Sequence, residues 1–133
     1  MMQEKNMRFG ALIRLRRLKD PRELTLKDVS EKLGISLTLL SDIENGRRSP
    51  LDKEKIDIFC EYLGLPEKDR NLLYDLSAKE NGLVPPDLDD TFFYSEVGDL
   101  ARHALRLTNA GIIAEEDWKD FIRRSEEKGR QGK

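Results

Sequence analysis

The residues with the clearest capacity for chemistry lie between positions 37 and 42, where Leu37, Thr38, Ser41 and Asp42 share one face of a predicted helix. Leu37 suits contact with a thymine methyl group, and Asp42 can accept a hydrogen bond from a cytosine amino group. A short helix that presents such a face from its N-terminal end suits insertion into the major groove of DNA. This pattern therefore favours base recognition.

Catalysis and metal binding need residue combinations that this sequence lacks. The single cysteine, Cys60, and the single histidine, His103, make neither an internal disulfide nor a zinc site. No nucleophile stands beside a base, and no glycine loop suits a phosphate. The acidic run Asp87, Asp89 and Asp90 lacks the glycine and terminal glutamate of an EF-hand. We expect no catalytic residue, no metal, no cofactor and no enzymatic activity.

Two short helices have to position the face at residues 37–42. Thr25 is a good N-cap for the first of them, and Ser36 is a good N-cap for the second. Gly34 supplies the left-handed conformation that ends the first helix, and Ile35 wedges into the angle behind it. Ser30 is small where the two helices cross. The spacing predicts a helix-turn-helix whose second helix enters the groove.

Three motifs overlap and flank this stretch. The most specific is Leu40-Ser41-x-Ile43-Glu44-x-Gly46-Arg47-Arg48-x-Pro50, and the others are Phe9-Gly10-x-x-Ile13-Arg14 and Phe59-x-x-x-Leu63-Gly64-Leu65. With these motifs, residues 9–77 resemble the Xre family, the Cro/cI-type phage and bacterial repressors. The resemblance implies a five-helix bundle that binds double-stranded DNA.

The resemblance also implies roles for individual residues. Ser36 would contact a phosphate or the first base, Arg47 and Arg48 would contact the phosphate backbone, and Arg17 and Glu44 would form an internal ion pair. The predicted DNA-contacting residues are Thr25, Lys27, Ser36, Leu37, Thr38, Ser41, Asp42, Arg47 and Arg48.

Two features depart from the family pattern. The turn at residues 19–24 is longer than usual, and Leu26 stands where the repressors often have glutamine, so only its backbone N–H is left for a phosphate. Two assignments also have alternatives. Leu37 is either a groove contact or a partly buried core residue. Asp42 either contacts a base or neutralises a neighbouring lysine or arginine.

The composition favours an all-α fold, because the chain has twenty leucines and three valines. The first helix is predicted from about Met7 to Lys19, and the next four end at Gly34, Asn45-Gly46, Gly64 and Asn81-Gly82. Two more helices are predicted at about 96–108 and 115–128. The expected domains are a five-helix bundle at 7–82, a linker at 83–91 and a C-terminal two-helix segment at 92–128.

The C-terminal segment carries two apolar stripes that its own two helices cannot fully bury. Its candidate interface residues are Phe92, Phe93, Val97, Leu100, Trp118, Phe121 and Ile122. The stripes dock on the bundle, on a second chain or on another protein. We therefore expect either a homodimeric repressor at a pseudo-palindromic operator or the antitoxin of a toxin–antitoxin pair that also regulates its own operon.

Charge is distributed unevenly along the chain. Residues 1–55 carry thirteen lysine and arginine residues against nine acidic ones, whereas residues 56–133 carry eleven against seventeen. A basic half suits a polyanionic partner. No run of residues is long and apolar enough to cross a membrane, and residues 1–6 lack the apolar core of a secretory signal. We expect a soluble cytoplasmic protein without a membrane partner.

Overall fold

A computed structural model describes residues 3–132, and every regular element in that range is a helix. The fold class is therefore all-α, as predicted. After a 3-10 turn at Glu4–Asn6, the elements are α1 (Phe9–Lys19), α2 (Leu26–Leu33), α3 (Leu37–Glu44), α4 (Lys53–Leu63), α5 (Glu67–Asn81), α6 (Asp89–Tyr94), α7 (Glu96–Asn109) and α8 (Glu115–Gln131). They fall into two compact units that divide between Asp89 and Asp90.

Side-chain caps define the helices of the first unit. The Ser36 hydroxyl accepts a hydrogen bond from the amide of Leu39 and so begins α3, while the Asp52 carboxylate accepts one from Lys55 and begins α4. Gly34, with φ of 71°, ends α2 in the left-handed conformation that favours glycine. The boundaries at Gly34 and Ser36 agree with the prediction because caps are local features of the sequence.

The core of the first unit lies between α1, α2, α3, α4 and α5. Its fully buried side chains include Phe9, Leu12, Ile13, Val29, Leu40, Ile56, Phe59 and Leu73. Leu51 and Ile56, on either side of the Asp52 cap, are both buried as a hydrophobic staple requires. Leu18 continues the apolar stripe of α1 in the sequence, but 59% of it is exposed. The core therefore ends one turn before the end of α1.

The long turn between α1 and α2 has a structure of its own. The Arg22 guanidinium donates to the Asp20 carboxylate and to the Tyr62 carbonyl, both at 2.8 Å, and it lies 4.8 Å from the centre of the Tyr62 ring. Hydrogen bonds from Arg22 hold the pKa of Asp20 at about 2. Glu23 adopts φ of 57°, and Leu24 is buried beneath the turn.

The second unit contains one more helix than the two predicted. Helix α6 begins inside the predicted linker, where Asp89 and Asp90 place two carboxylates in the first turn, the sign that a helix N-terminus favours. A Cβ on Gly98 would lie 2.2 Å from the Thr91 carbonyl oxygen. The backbones of α6 and α7 therefore approach so closely that no larger residue fits at Gly98.

Helices α7 and α8 form the rest of the second unit. The Trp118 indole N–H donates to the Thr108 hydroxyl at 2.8 Å and links the two helices. Many large apolar side chains remain exposed there, including Val97, Leu100, Ile112, Phe121 and Ile122. Among the helices described from residue 3 to residue 132, none has the length and apolar character that a membrane crossing requires.

Candidate nucleic-acid interface

Helix α3 separates its residues cleanly into two faces. Leu40, Ile43 and Glu44 are buried, whereas Thr38 is exposed and Leu37 is 47% exposed. Ser41 and Asp42 lie partly exposed between them, in the second turn. The structure thus brings together on one surface the four residues that the sequence pattern placed there. This exposure favours the contact interpretation of Leu37 over the core interpretation.

A close crossing with α1 supports the back of α3. A Cβ on Gly10 would lie only 1.9 Å from the carbonyl oxygen of Ile43, so glycine is required at this position. Leu12 and Ile13 of α1 continue the contact in the core. Since packed backbones do not slide easily, this crossing holds the exposed face of α3, at residues 37–42, in one orientation.

A buried ion pair fixes the other end of α3. The Arg17 Nε donates to Glu44 Oε2 at 2.8 Å, and its Nη2 donates to Oε1 at 2.9 Å, which is a bidentate pair. The third direction of the guanidinium is used by the carbonyl of Leu24, at 3.0 Å. The hydrogen bonds that Arg17 donates to the Glu44 carboxylate raise the pKa of Arg17. This pair ties α1, the α1–α2 turn and the end of α3 together.

Asp42 has a charged neighbour on the same surface. The Arg47 Nη1 lies 3.9 Å from Asp42 Oδ1, and the Arg47 amide donates to the Asp42 carbonyl at 2.8 Å. The carboxylate and the guanidinium are 31% and 73% exposed, so both can still reach a ligand. In the free protein the two opposite charges therefore lie within ion-pair distance, and both alternatives for Asp42 stay open.

The loop after α3 places basic side chains beside the recognition face. Arg47 and Arg48 are both exposed, and Arg8, from the start of α1, reaches the same place by lying against Gly46. Arg8 also pairs with Glu80 of α5, at 2.9 Å. The sequence argument did not include Arg8. The only sequence feature that could have pointed to Arg8 is its position directly before the Phe9-Gly10 motif.

The start of α2 is occupied by its own cap. The Thr25 hydroxyl accepts from the Asp28 amide, and the Asp28 carboxylate accepts from the Thr25 amide. These hydrogen bonds lower the pKa of Asp28, so a negative charge stands where a phosphate would approach. Lys27 is exposed beside it. A DNA phosphate that contacts Thr25 or Lys27, as predicted, would therefore approach the negatively charged Asp28 carboxylate.

Two further reactive side chains, Cys60 and His103, lie outside the exposed face of α3. Cys60 is buried in the core, and desolvation raises the pKa of its thiol to about 11. His103 lies exposed on α7. Within residues 3–132, no three histidine, cysteine or carboxylate side chains are grouped as metal ligands.

An apolar groove of about 590 Å³ lies in the second unit, between α7 and α8. Val97, Leu100, Trp118 and Phe121 line it, and each was predicted as an interface residue. Ile122 and Phe93 are exposed outside it, whereas Phe92 is partly buried and stacks edge-on against Phe93. Asp117 and Arg124 stand at the rim of the groove.

Comparison with known families gives one match. Residues 10–73 match a family model described as a helix-turn-helix domain. No curated protein and no solved structure matches the chain. The first unit thus contains a helix-turn-helix domain, in agreement with the geometry of α2 and α3. The match does not distinguish the Xre family from other helix-turn-helix families.

Proposed function

We propose that this protein is a transcriptional regulator that binds a specific double-stranded DNA sequence through α3. The observation that carries the proposal is the exposed face at residues 37–42, supported from behind by the Gly10 crossing and the Arg17–Glu44 pair. The helix-turn-helix match at residues 10–73 supports it independently. The finer assignment to the Xre family, with a cytoplasmic and non-enzymatic role, belongs to the same proposal.

Base recognition in this proposal depends on α3 alone. The face offers one apolar side chain, Leu37, two hydroxyls and the Asp42 carboxylate, but no amide or guanidinium within the helix itself. Bidentate readout of guanine or adenine needs arginine, asparagine or glutamine. Direct readout by the helix is therefore weak. We expect DNA shape and the phosphate contacts of Arg47 and Arg48 to contribute much of the recognition.

A repressor of this kind needs two recognition helices about 34 Å apart on the DNA, which requires two chains. The groove between α7 and α8 supplies a surface suited to this role, since Leu100 is 69% and Phe121 58% exposed. Trp118 and Phe121 are the best anchors, because large aromatic side chains dominate interface energies. We propose a homodimer joined through the second unit.

The same groove supports a second candidate function. An open apolar surface of this kind also suits a different protein, and in an antitoxin that protein would be a toxin. The DNA-binding unit would then regulate the operon that encodes both proteins. The oligomeric state of the isolated protein separates these functions, because a homodimeric repressor needs no other chain.

Selection of bound sites from random duplexes tests the proposal. We expect a single enriched motif, with two half-sites related by symmetry. Replacing Arg47 or Arg48 with glutamine should weaken binding to all duplexes alike and reduce the salt dependence by about one ion for each lost phosphate contact. Replacing Thr38 with alanine or Asp42 with asparagine should instead change which sites are preferred.

Two results would contradict the proposal. A selection that enriches no motif would show that α3 does not read sequence. An equal and uniform loss in all four variants would show that the recognition face is not docked in the groove. Glu31→Gln, on the exposed surface of α2, is a suitable control for the effect of changing one charge.

A further inference from the structure

A small polar cavity of about 320 Å³ lies behind the loop that follows α3. Three arginines, Arg8, Arg47 and Arg48, are among the residues that line it, together with Ser49, Glu80 and Asn81. Arginine donors combined with a hydroxyl and an amide form a set that suits a phosphate group. The cavity joins the first residues of α1 to the last residues of α5 at the edge of the recognition surface.

Gly46 forms one wall of this cavity and allows Arg8 to enter it. A Cβ at Gly46 would lie 3.3 Å from the Arg8 Nε, and its φ of 75° favours glycine in any case. The Arg8 side chain therefore lies across the loop and reaches the same space as Arg47. Its side chain is still 67% exposed, so it remains accessible to a ligand.

Glu80 is the anion to which one of these donors, Arg8, is directed. Its Oε1 accepts from the Arg8 Nη2 at 2.9 Å, and its Oε2 accepts from the Phe9 amide at 2.5 Å. The carboxylate thus caps the start of α1 as well as pairing with Arg8. Only 22% of the Glu80 side chain is exposed, so Arg8 and the first amide of α1 together hold a partly covered oxygen anion.

We propose that this cavity is a phosphate site for the DNA backbone, in which Arg8 is a ligand and Glu80 an internal competitor. The proposal rests on the function proposed above, and it adds a residue from outside the helix-turn-helix. On docking, Arg8 would turn from the Glu80 carboxylate to a phosphate oxygen. Glu80 would retain its hydrogen bond from Phe9.

A carboxylate inside a phosphate site lowers the affinity of that site for the phosphate. It repels the phosphate equally for every DNA sequence, because backbone phosphates carry no sequence information. Removing its charge should therefore strengthen binding to unrelated DNA and to the selected site by the same factor. Glu80 in this way limits the nonspecific part of the affinity.

Four variants of the full chain test the site. Arg8→Gln removes the proposed ligand, and Glu80→Gln removes the competing charge while keeping an oxygen that can cap α1. Lys68→Gln and Glu67→Gln make the same charge changes on exposed residues at the opposite end of α5. Affinity is measured for a selected duplex and an unrelated duplex over a salt series, and each variant is melted as a check on folding.

We expect Arg8→Gln to weaken binding to both duplexes by about tenfold at low salt and to reduce the salt slope by about 0.9. Glu80→Gln should strengthen binding to both by several-fold and increase the slope. Both controls should stay close to the native protein. Titration with inorganic phosphate serves as a separate arm, and a free anion should bind far more weakly than the duplex.

Several outcomes would overturn the inference. An Arg8→Gln variant that binds DNA like Lys68→Gln would exclude Arg8 as a ligand. If Glu80→Gln lowers both the melting temperature and the affinity, Glu80 acts only as a cap. If inorganic phosphate binding depends on Arg8 but duplex binding does not, the cavity is a free-anion site. A native chain that binds no duplex would instead contradict the proposed function.

Discussion

The two units of this chain use similar helices but differ in how much of them is buried. In the first unit, Phe9, Leu12, Ile13, Phe59 and Leu73 are almost completely inaccessible. In residues 90–132, Gly98 is the one residue that counts as buried, and it is buried because α6 crosses α7 there. A helix gains most of its stability from packing an apolar face, so the two units differ in what stabilises them.

Helix α8 shows what the second unit depends on. Its ion pairs, such as Lys119–Glu115 and Arg123–Asp120, are exposed and belong to neighbouring turns of the same helix. Such pairs each contribute a few tenths of a kcal/mol. Phe121 and Ile122, which would contribute more if covered, are more than half exposed. The second unit thus leaves much of its apolar surface exposed, whereas the first unit buries its own.

The largest effect should come from removing the second unit. A chain that ends at Leu83 should melt cooperatively, because the core of the first unit is intact. It should also be a monomer. Its affinity for a symmetric duplex should fall by about 100-fold or more, because the two DNA-binding units are no longer linked to each other. Light scattering and a binding titration check this. A dimeric truncated chain would place the interface in the first unit and leave the groove to another partner.

A matched pair of leucine substitutions should separate the two units by their energetics. Leu73→Ala, in the core, should lower the free energy of unfolding by about 2–5 kcal/mol at any protein concentration. Leu100→Ala, at 69% exposure, should instead weaken the proposed dimer, so its effect on the melting temperature should depend on concentration. Thermal melts over a hundredfold range of concentration measure both. Equal behaviour of the two variants would contradict the distinction drawn between the units.

Breaking the buried ion pair should have a smaller effect within the first unit. Glu44→Gln leaves the Arg17 guanidinium without its counter-ion, which costs about 3–5 kcal/mol for a fully buried pair and less here, where Arg17 keeps 8% exposure. The melting temperature and the DNA affinity should fall together because the pair holds the end of α3. Glu31→Gln is the control. An unchanged melting curve would exclude any role of the pair in stability.

The smallest effect concerns pH and the turn between α1 and α2. Hydrogen bonds from Arg22 lower the pKa of Asp20 from its ordinary value of 3.8 to about 2. A lowered carboxyl pKa stabilises the fold above pH 4, and this stabilisation is lost as the pH falls towards 2. Asp20→Asn should therefore show a shallower loss of stability between pH 4 and pH 2 than the native chain. If the two proteins lose stability identically between pH 4 and pH 2, the Asp20–Arg22 pair does not contribute to the stability of the fold.

The sequence by itself determined the exposed face of α3 and every α-helix except α6. Caps such as Thr25, Ser36, Asp52 and Gly34 act within a few residues, so their types and spacing are enough to place helix ends. The apolar spacing in α2 and α3 likewise determined which residues of the recognition helix are buried and which are exposed. Helix α6 was missed because it is only six residues long and follows two prolines.

Only the tertiary structure decided how distant residues meet. Arg8 and Glu80 are 72 positions apart, and no local pattern pairs them or places Arg8 beside Gly46. The spacing of Asp42 and Arg47 left open whether their side chains interact, and the turn after α3 decides that they do. Hydrogen bonding within a turn of helix depends on neighbouring residues, whereas contacts between helices depend on the packing of the whole unit. For this reason the sequence predicted the recognition helix, and the structure added the cavity beside it.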